Sequence, residues 1–289
     1  MPRPTPKTTP PAQTVTVHPF WLLKALALVL LAALFCTYLA LCLLFYRGQW
    51  QLVLHPVQNS AGPLAASDVV RFGPDESATP QLVGRWLPAA AGARYASTTI
   101  LFLPGGDGSL ADFNPTIEAL RGLGLNVFAF DYRGYGLSAK TQPSEQKMTQ
   151  DAESAWQYLT GTRGIPASRV VPYGTGVGAS LATTLVLRHP ESPALILESP
   201  KCDLAAVVGQ DPRTTLIPVR LLFHENFPLA EPLSGLKTPK LLISSPARPS
   251  EALQAASDPK ITVKLQSVPG TQYEQVVVRF LDQYLSESG

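Results

Sequence analysis

Val170-Val171-Pro172-Tyr173-Gly174-Thr175-Gly176-Val177-Gly178-Ala179-Ser180 decides how the rest of the chain is read. A short apolar run meets glycines at 174, 176 and 178 and leaves into residues with helical spacing, which is the pattern of strand, tight turn and helix. Two devices share this outline. One is the nucleophile elbow, G-x-S-x-G, which lifts a serine above a sheet on a strained turn. The other is the dinucleotide fingerprint, G-x-G-x-x-G/A. As an elbow, the stretch has Gly174 and Gly178 in place and Gly176 where the serine belongs. As a fingerprint, it fits at Gly174, Gly176 and Ala179, and Glu198 ends the next strand near where a ribose-binding acid would stand.

The flanking chain weighs between them. Apolar runs at Val69–Phe72, Gln81–Leu87, Thr98–Leu103, Leu125–Phe130, Arg169–Tyr173, Pro193–Glu198, Lys240–Ser244 and Thr262–Val268 read as strands. Helical spacing marks Phe113–Leu123, Ser144–Thr160, Gly178–His189, Ser250–Ala256 and Tyr273–Leu285, with Ser144 as the expected N-cap of the second. Pro200–Leu236 is loop-rich and reads as an irregular segment or cap. Strands alternating with helices of this length predict a mostly parallel α/β sheet covered on both faces. A dinucleotide fingerprint opens the first strand of its domain, whereas this turn follows several strands.

The loops at the strand ends carry a resemblance. Leu101-Phe102-Leu103-Pro104-Gly105-Gly106 resembles the oxyanion loop of α/β-hydrolases, and Asp131-Tyr132-Arg133-Gly134-Tyr135-Gly136-Leu137-Ser138 is similar to the loop after their fourth strand. Tyr173–Gly178 falls where their Y-G-x-S-x-G lies, Leu195–Pro200 resembles the strand after it, and Arg85-Trp86-Leu87-Pro88 an early-strand motif. From about Trp50 to the C-terminus the chain resembles the membrane-anchored α/β-hydrolases related to serine aminopeptidases and protein depalmitoylases. That resemblance implies the α/β-hydrolase fold over residues 48–289, with a cap at about 200–236.

The family's chemistry does not carry over with the fold. Acyl transfer needs a serine, a histidine to take its proton and an acid to hold the imidazole. The nucleophile position is Gly176; the acid's stretch reads Ser244-Ser245-Pro246-Ala247-Arg248, and the base's stretch Pro269–Glu274 offers Gln272 or Tyr273. Gly176, Arg248 and Tyr273 are therefore the degenerate triad positions. The oxyanion donors are backbone N–H groups, so Gly106 and Val177 retain them. An oxyanion hole without a nucleophile binds and forms no acyl-enzyme. Glycine takes the elbow's positive φ without a Cβ clash, so its presence removes chemistry and keeps the turn.

Other side chains do not restore the triad. Ser180, Ser138, Ser144 and Thr175 read as packing, loop or capping residues, and Ser144-Glu145-Gln146-Lys147 lacks the companion motifs of S-x-x-K enzymes. Of the four histidines, His18 and His55 flank the apolar run described below, His189 ends a helix, and His224 in the cap segment is the one candidate base. Cys202, beside Lys201 and Asp203, reads as a lone cysteine, and Asp203 and Glu198 as acids without a base.

Further out lies Phe20–Tyr46, 27 residues whose only charge is Lys24. About 20 apolar residues cross a bilayer. Phe20, Trp21 and Tyr46 suit its interfaces, and Phe45-Tyr46-Arg47-Gly48 is a poor cleavage site, so residues 18–47 read as an uncleaved signal anchor. Arg3, Lys7 and Lys24 against Arg47 give a modest positive-inside bias. It predicts a single-pass protein with a cytoplasmic N-terminus and the globular domain on the extracytoplasmic side. Residues 1–17, with five prolines by Pro11, read as a disordered tail.

The bulk composition sets outer bounds. The chain has 289 residues, 45% of them hydrophobic, with 23 basic and 21 acidic residues. A net charge of +2 gives no electrostatic draw toward nucleic acid. Cys36, Cys42 and Cys202 form neither a disulfide framework nor a metal-ligand spacing, so no metal or cofactor is expected. The sequence reading is thus a membrane-anchored pseudohydrolase with a binding, scaffolding or regulatory role. Its partners are the membrane through residues 20–46 and a protein or a small acyl or ester ligand. An active ester or amide hydrolase using non-standard residues is the alternative, and nucleotide binding at the Gly174–Ala179 turn is the third.

Overall fold

The computed structural model describes residues 19–58, 68–73, 81–202, 204–245, 254 and 256–285. The chain divides into two units, Met1–Arg47 and Gly48–Gly289. In the first, helix α1 (Pro19–Gly48) is 30 residues long. At 1.5 Å per residue that is about 45 Å, more than the ~30 Å hydrocarbon core of a bilayer. Its large apolar side chains, among them Leu28, Leu34 and Leu44, are exposed around its circumference. Among the described residues it is the one helix long and apolar enough to cross a membrane.

The second unit is an α/β sandwich. Strand β1 is His55–Pro56, followed by β2 (Val69–Phe72), β3 (Leu82–Leu87), β4 (Thr99–Leu103) and β5 (Asp107–Gly108). Helix α2 (Asn114–Gly122), β6 (Asn126–Asp131), α3 (Glu145–Gln157), β7 (Val170–Thr175), α4 (Gly178–Arg188) and β8 (Leu195–Glu198) come next. The expected irregular stretch 200–236 contains three short helices, α5 (Leu204–Gly209), α6 (Val219–Leu222) and α7 (Ala230–Gly235). Strands β9 (Lys240–Ser244) and β10 (Lys260–Lys264) and helix α8 (Thr271–Leu285) close the chain.

Eight strands form one sheet in the order β10-β9-β8-β7-β4-β6-β3-β2, antiparallel only at β2–β3 and β3–β6. The β7 backbone runs beside β4 with Leu103 opposite Gly174. Strands β4, β6 and β7 are apolar along almost their whole length, as expected where both faces are covered. Ile100, Phe102, Ala129, Val171, Tyr173 and Ile196 meet α2 and α8 through Ile117, Leu120, Val277 and Phe280 on one face. Helices α3 and α4 pack on the other, turning Met148, Ala152, Ala155, Leu181 and Leu185 inward. The Ser144 hydroxyl accepts the Lys147 N–H and caps α3, as its spacing predicts.

Two elements differ from the sequence expectation. The last strand lies at Lys260–Lys264 instead of Thr262–Val268, an edge strand with alternating half-buried residues and lysines at both ends. The two-residue ladder of β1 and β5, His55 opposite Asp107 and Pro56 opposite Gly108, has no period to read in sequence and exists only through long-range pairing. The helix expected at Ser250–Ala256 lies largely outside the described residues.

Candidate functional site

The chain leaves β4 toward β6 on one side and returns through β7 to the other, so the strand order reverses between β4 and β7. The crevice beyond the carboxyl ends of strands at such a reversal is where open α/β sheets bind ligands. Here it is bounded by Pro104-Gly105-Gly106 after β4 and by the glycine turn after β7.

The three glycines of the turn serve different ends. A β-carbon on Gly174 would lie 2.4 Å from the Gly178 carbonyl oxygen and 2.7 Å from Ala179 Cα. One on Gly178 would lie 2.3 Å from the Leu103 oxygen and 2.5 Å from that of Pro104. Both positions exclude any side chain, because β7 meets the start of α4 at Gly174, and α4 meets the end of β4 at Gly178, backbone against backbone. Gly176 instead has φ +53°, and a β-carbon there would meet nothing nearer than Gly105 Cα at 3.6 Å and Lys201 Cε at 3.9 Å. The turn has the backbone form of an elbow, and a β-carbon at its tip would make only ordinary van der Waals contacts. Its N–H donates to the Glu198 carbonyl at 3.1 Å and its carbonyl accepts the Lys201 N–H at 3.2 Å, which ties the turn to the end of β8.

Gly106 and Val177 are neighbours: a β-carbon on Gly106 would be 3.0 Å from Val177 Cγ2. It would also be 2.7 Å from Leu54 Cδ2, so the segment entering the domain packs on this loop. The Gly106 carbonyl is held by the His55 N–H at 2.8 Å and the Tyr135 hydroxyl at 3.0 Å. Among the described residues, neither the Gly106 nor the Val177 N–H donates to another protein group.

An ion cluster stands at the mouth. Lys201 Nζ is 2.9 Å from Asp107 Oδ2, and His55 Nδ1 is 2.7 Å from Asp107 Oδ1. Partial burial pushes the Asp107 carboxyl up, but the hydrogen bonds from His55 and Lys201 outweigh it and hold the group below its usual range. The lysine stem passes beside Gly176, with Cε 3.9 Å from where its β-carbon would lie. Sequence reasoning placed His55 merely after the apolar run; the β1–β5 ladder brings it to the site, and two-residue strands gave no signal for that.

Tyr273, expected from the resemblance at the base position, is fully buried. Its hydroxyl donates to that of Tyr173 at 3.2 Å, and Tyr173 donates to Glu198 Oε2 at 2.7 Å. Burial raises the Glu198 carboxyl, opposed by the Tyr173 hydrogen bond, and raises both tyrosines. Tyr273 is thus linked to the elbow residue through Tyr173 and Glu198, from the core side of the sheet. Glu198, the acid of the nucleotide alternative, turns its carboxylate to Tyr173. Arg248 and Asp203 lie outside the described residues. Ser199, exposed at the end of β8, has φ +44°, a left-handed conformation that a side chain rarely adopts.

The remaining candidates have structural partners. Ser138 Oγ accepts the Val83 N–H and donates to the Asp131 carbonyl. Ser180 donates to the Pro228 carbonyl at 2.6 Å. His189 meets Glu153 at 3.0 Å and stacks on Trp156. The main chain and ring of His224 are held by Gln49, with its N–H 2.7 Å from Oε1 and Nδ1 2.6 Å from Nε2.

Comparison with known proteins agrees with this geometry. Residues 95–283 match the family described as serine aminopeptidase, S33. An uncharacterised protein of Mycobacterium tuberculosis is 32% identical over 257 residues, covering 85% of this chain and 88% of that one. Alpha/beta hydrolase domain-containing protein 17C of Xenopus tropicalis is 30% identical over 201 residues, 68% of this chain and 57% of its own length. An esterase of Pyrococcus furiosus superposes with a TM-score of 0.61 at 18% identity, over 80% of this chain and 97% of that one. At that identity the likeness speaks for the fold alone.

Proposed function

Because this chain belongs to the serine aminopeptidase S33 family of α/β-hydrolases, we propose that it is a pseudohydrolase, a membrane-anchored member that binds an acyl or ester ligand without cleaving it. The observation that carries the reading is Gly176, a residue at the tip of the turn with φ +53° and no side chain, where a β-carbon would meet nothing nearer than 3.6 Å. Attack on a carbonyl needs an oxygen or sulfur there and a base beside it. The free N–H groups of Gly106 and Val177 can still receive a carbonyl oxygen. The test uses the full chain in detergent, with a series of 4-nitrophenyl esters and non-hydrolysable ketones of the same acyl lengths. Saturable ketone binding with no ester turnover is expected; turnover overturns the reading. Loss of both moves the role to a protein partner.

One observation favours a second reading, an active hydrolase with non-standard residues. The His55–Asp107 pair at the mouth has the form in which a carboxylate orients an imidazole to activate water. Its signature is ester turnover abolished by His55→Ala.

The anchor in this proposal is α1. The charges at Arg3, Lys7 and Lys24 against Arg47 favour a cytoplasmic N-terminus and an extracytoplasmic domain. Reporter fusions after Gly289 check it: alkaline phosphatase active and green fluorescent protein dark for this orientation, the converse for the opposite one.

A further inference from the structure

Among the described residues of the second unit, the large apolar side chains left most exposed fall in one short stretch. Val207 is 60% exposed, Leu216 75% and Leu221 81%. They project from α5, from the turn before α6 and from α6, while Leu204, Val208 and Val219 of the same helices face inward. The stretch 204–222 carries three charged residues, Asp211, Arg213 and Arg220. Arg213 binds Asp211 at 2.6 Å, which leaves the exposed Arg220 beside Leu221 as the net charge. Apolar residues next to a cation with a long apolar stem make a surface suited to a lipid interface.

The chain itself says which surface lies near. Gln49 is two residues past Arg47, the charge that ends the apolar run of α1. Two residues of chain span at most about 7 Å, comparable to the ~5–8 Å headgroup layer on each side of the hydrocarbon. The Gln49 side chain is buried and grips the end of α6. Its Nε2 donates to the Leu222 carbonyl at 3.1 Å and meets His224 Nδ1, while its Oε1 accepts the His224 N–H at 2.7 Å. Leu221 adjoins the residue so held. Covalent continuity therefore keeps the exposed end of α6 within reach of the bilayer from which the chain emerges.

We infer that the cap segment 204–222 docks on the lipid surface through Val207, Leu216 and Leu221, with Arg220 among the headgroups. The inference rests on the reading of α1 as a membrane anchor.

The test uses the full chain with Cys36→Ala, Cys42→Ala and Cys202→Ala, reconstituted in phosphatidylcholine vesicles. A polarity-sensitive fluorophore is placed by Leu216→Cys, Leu221→Cys or, as control on the exposed side of α3, Gln157→Cys. Emission at 216 and 221 is expected to shift to the blue and to be mostly lost when the lipids carry brominated acyl chains, with neither change at 157. Water-like emission at 216 and 221, in a chain that resists alkaline carbonate extraction, overturns the docking and leaves the anchor standing. Release by carbonate overturns the anchor and the docking with it. A blue shift that brominated lipids do not quench means that a second copy or another protein covers the patch, which also overturns the proposal.

Discussion

At position 176 a β-carbon would meet ordinary van der Waals distances, whereas at 174 and 178 it would collide with backbone. The three glycines therefore predict different outcomes. Gly176→Ala places an L-residue in the left-handed region and costs about 1–2 kcal/mol. Gly174→Ala forces α4 away from β7 and costs about 4 kcal/mol or more. Chemical denaturation of the two variants checks the ordering, and equal losses would mean that the elbow is not packed as described. A second residue-scale prediction concerns the loop after β6. Asp151 is fully buried and binds Arg133 Nε at 2.6 Å and the Arg133 N–H at 2.9 Å. Burial, opposed by these Arg133 contacts, pushes its carboxyl up from 3.8 to about 6. The folded state then binds more protons than the unfolded one between those values, so this group's contribution to stability is full below pH 3.8 and falls as pH rises to about 6. Asp151→Asn is expected to remove that slope from the pH dependence of unfolding. Asp151→Ala leaves the largely buried Arg133 guanidinium without its counter-ion and costs about 3–5 kcal/mol at neutral pH.

The elements were legible wherever the period of apolar residues was long enough to declare itself. Strands β2, β4, β6, β7 and β9 and helices α2, α3, α4 and α8 fall within one to three residues of the runs that predict them, because each has a face that must be buried. The β1–β5 ladder was not legible. Nothing local in Leu54-His55-Pro56-Val57 shows that it will lie along the oxyanion loop; that pairing is fixed by the His55 and Val57 N–H groups meeting the Gly106 and Gly108 carbonyls. The segment 200–236 was legible only as irregular, since helices of four to six residues carry too few turns for a period. Its attachment is testable at this scale. Gln49→Ala strips partners from the Leu222 carbonyl and the His224 N–H, at a cost of about 1–3 kcal/mol for groups left unpaired. The expected result is faster proteolytic cleavage between 210 and 224 with cleavage elsewhere unchanged. An unaltered digestion pattern would mean that the clasp does not hold the cap.

For the whole molecule, the fold could be reached from the sequence because several loop motifs agreed at the right spacing. The site could be reached only in part. Gly176, Gly106 and Val177 sit together because the elbow and the oxyanion loop are local motifs. His55, Asp107 and Lys201, which surround them, come from three distant segments and carry no shared motif. Tyr273, which the resemblance puts at the base position, does not reach the mouth. Its hydroxyl closes a buried chain through Tyr173 to Glu198, so an imidazole at 273 would face the core. The central claim is that a complete α/β-hydrolase scaffold here holds no working nucleophile. The most direct measurement is fluorophosphonate labelling of the full chain, with a known serine hydrolase in the same tube and ester turnover followed in parallel. The account predicts a labelled control, an unlabelled chain and no turnover above buffer. A labelled residue in this chain, or turnover lost in His55→Ala, would contradict it.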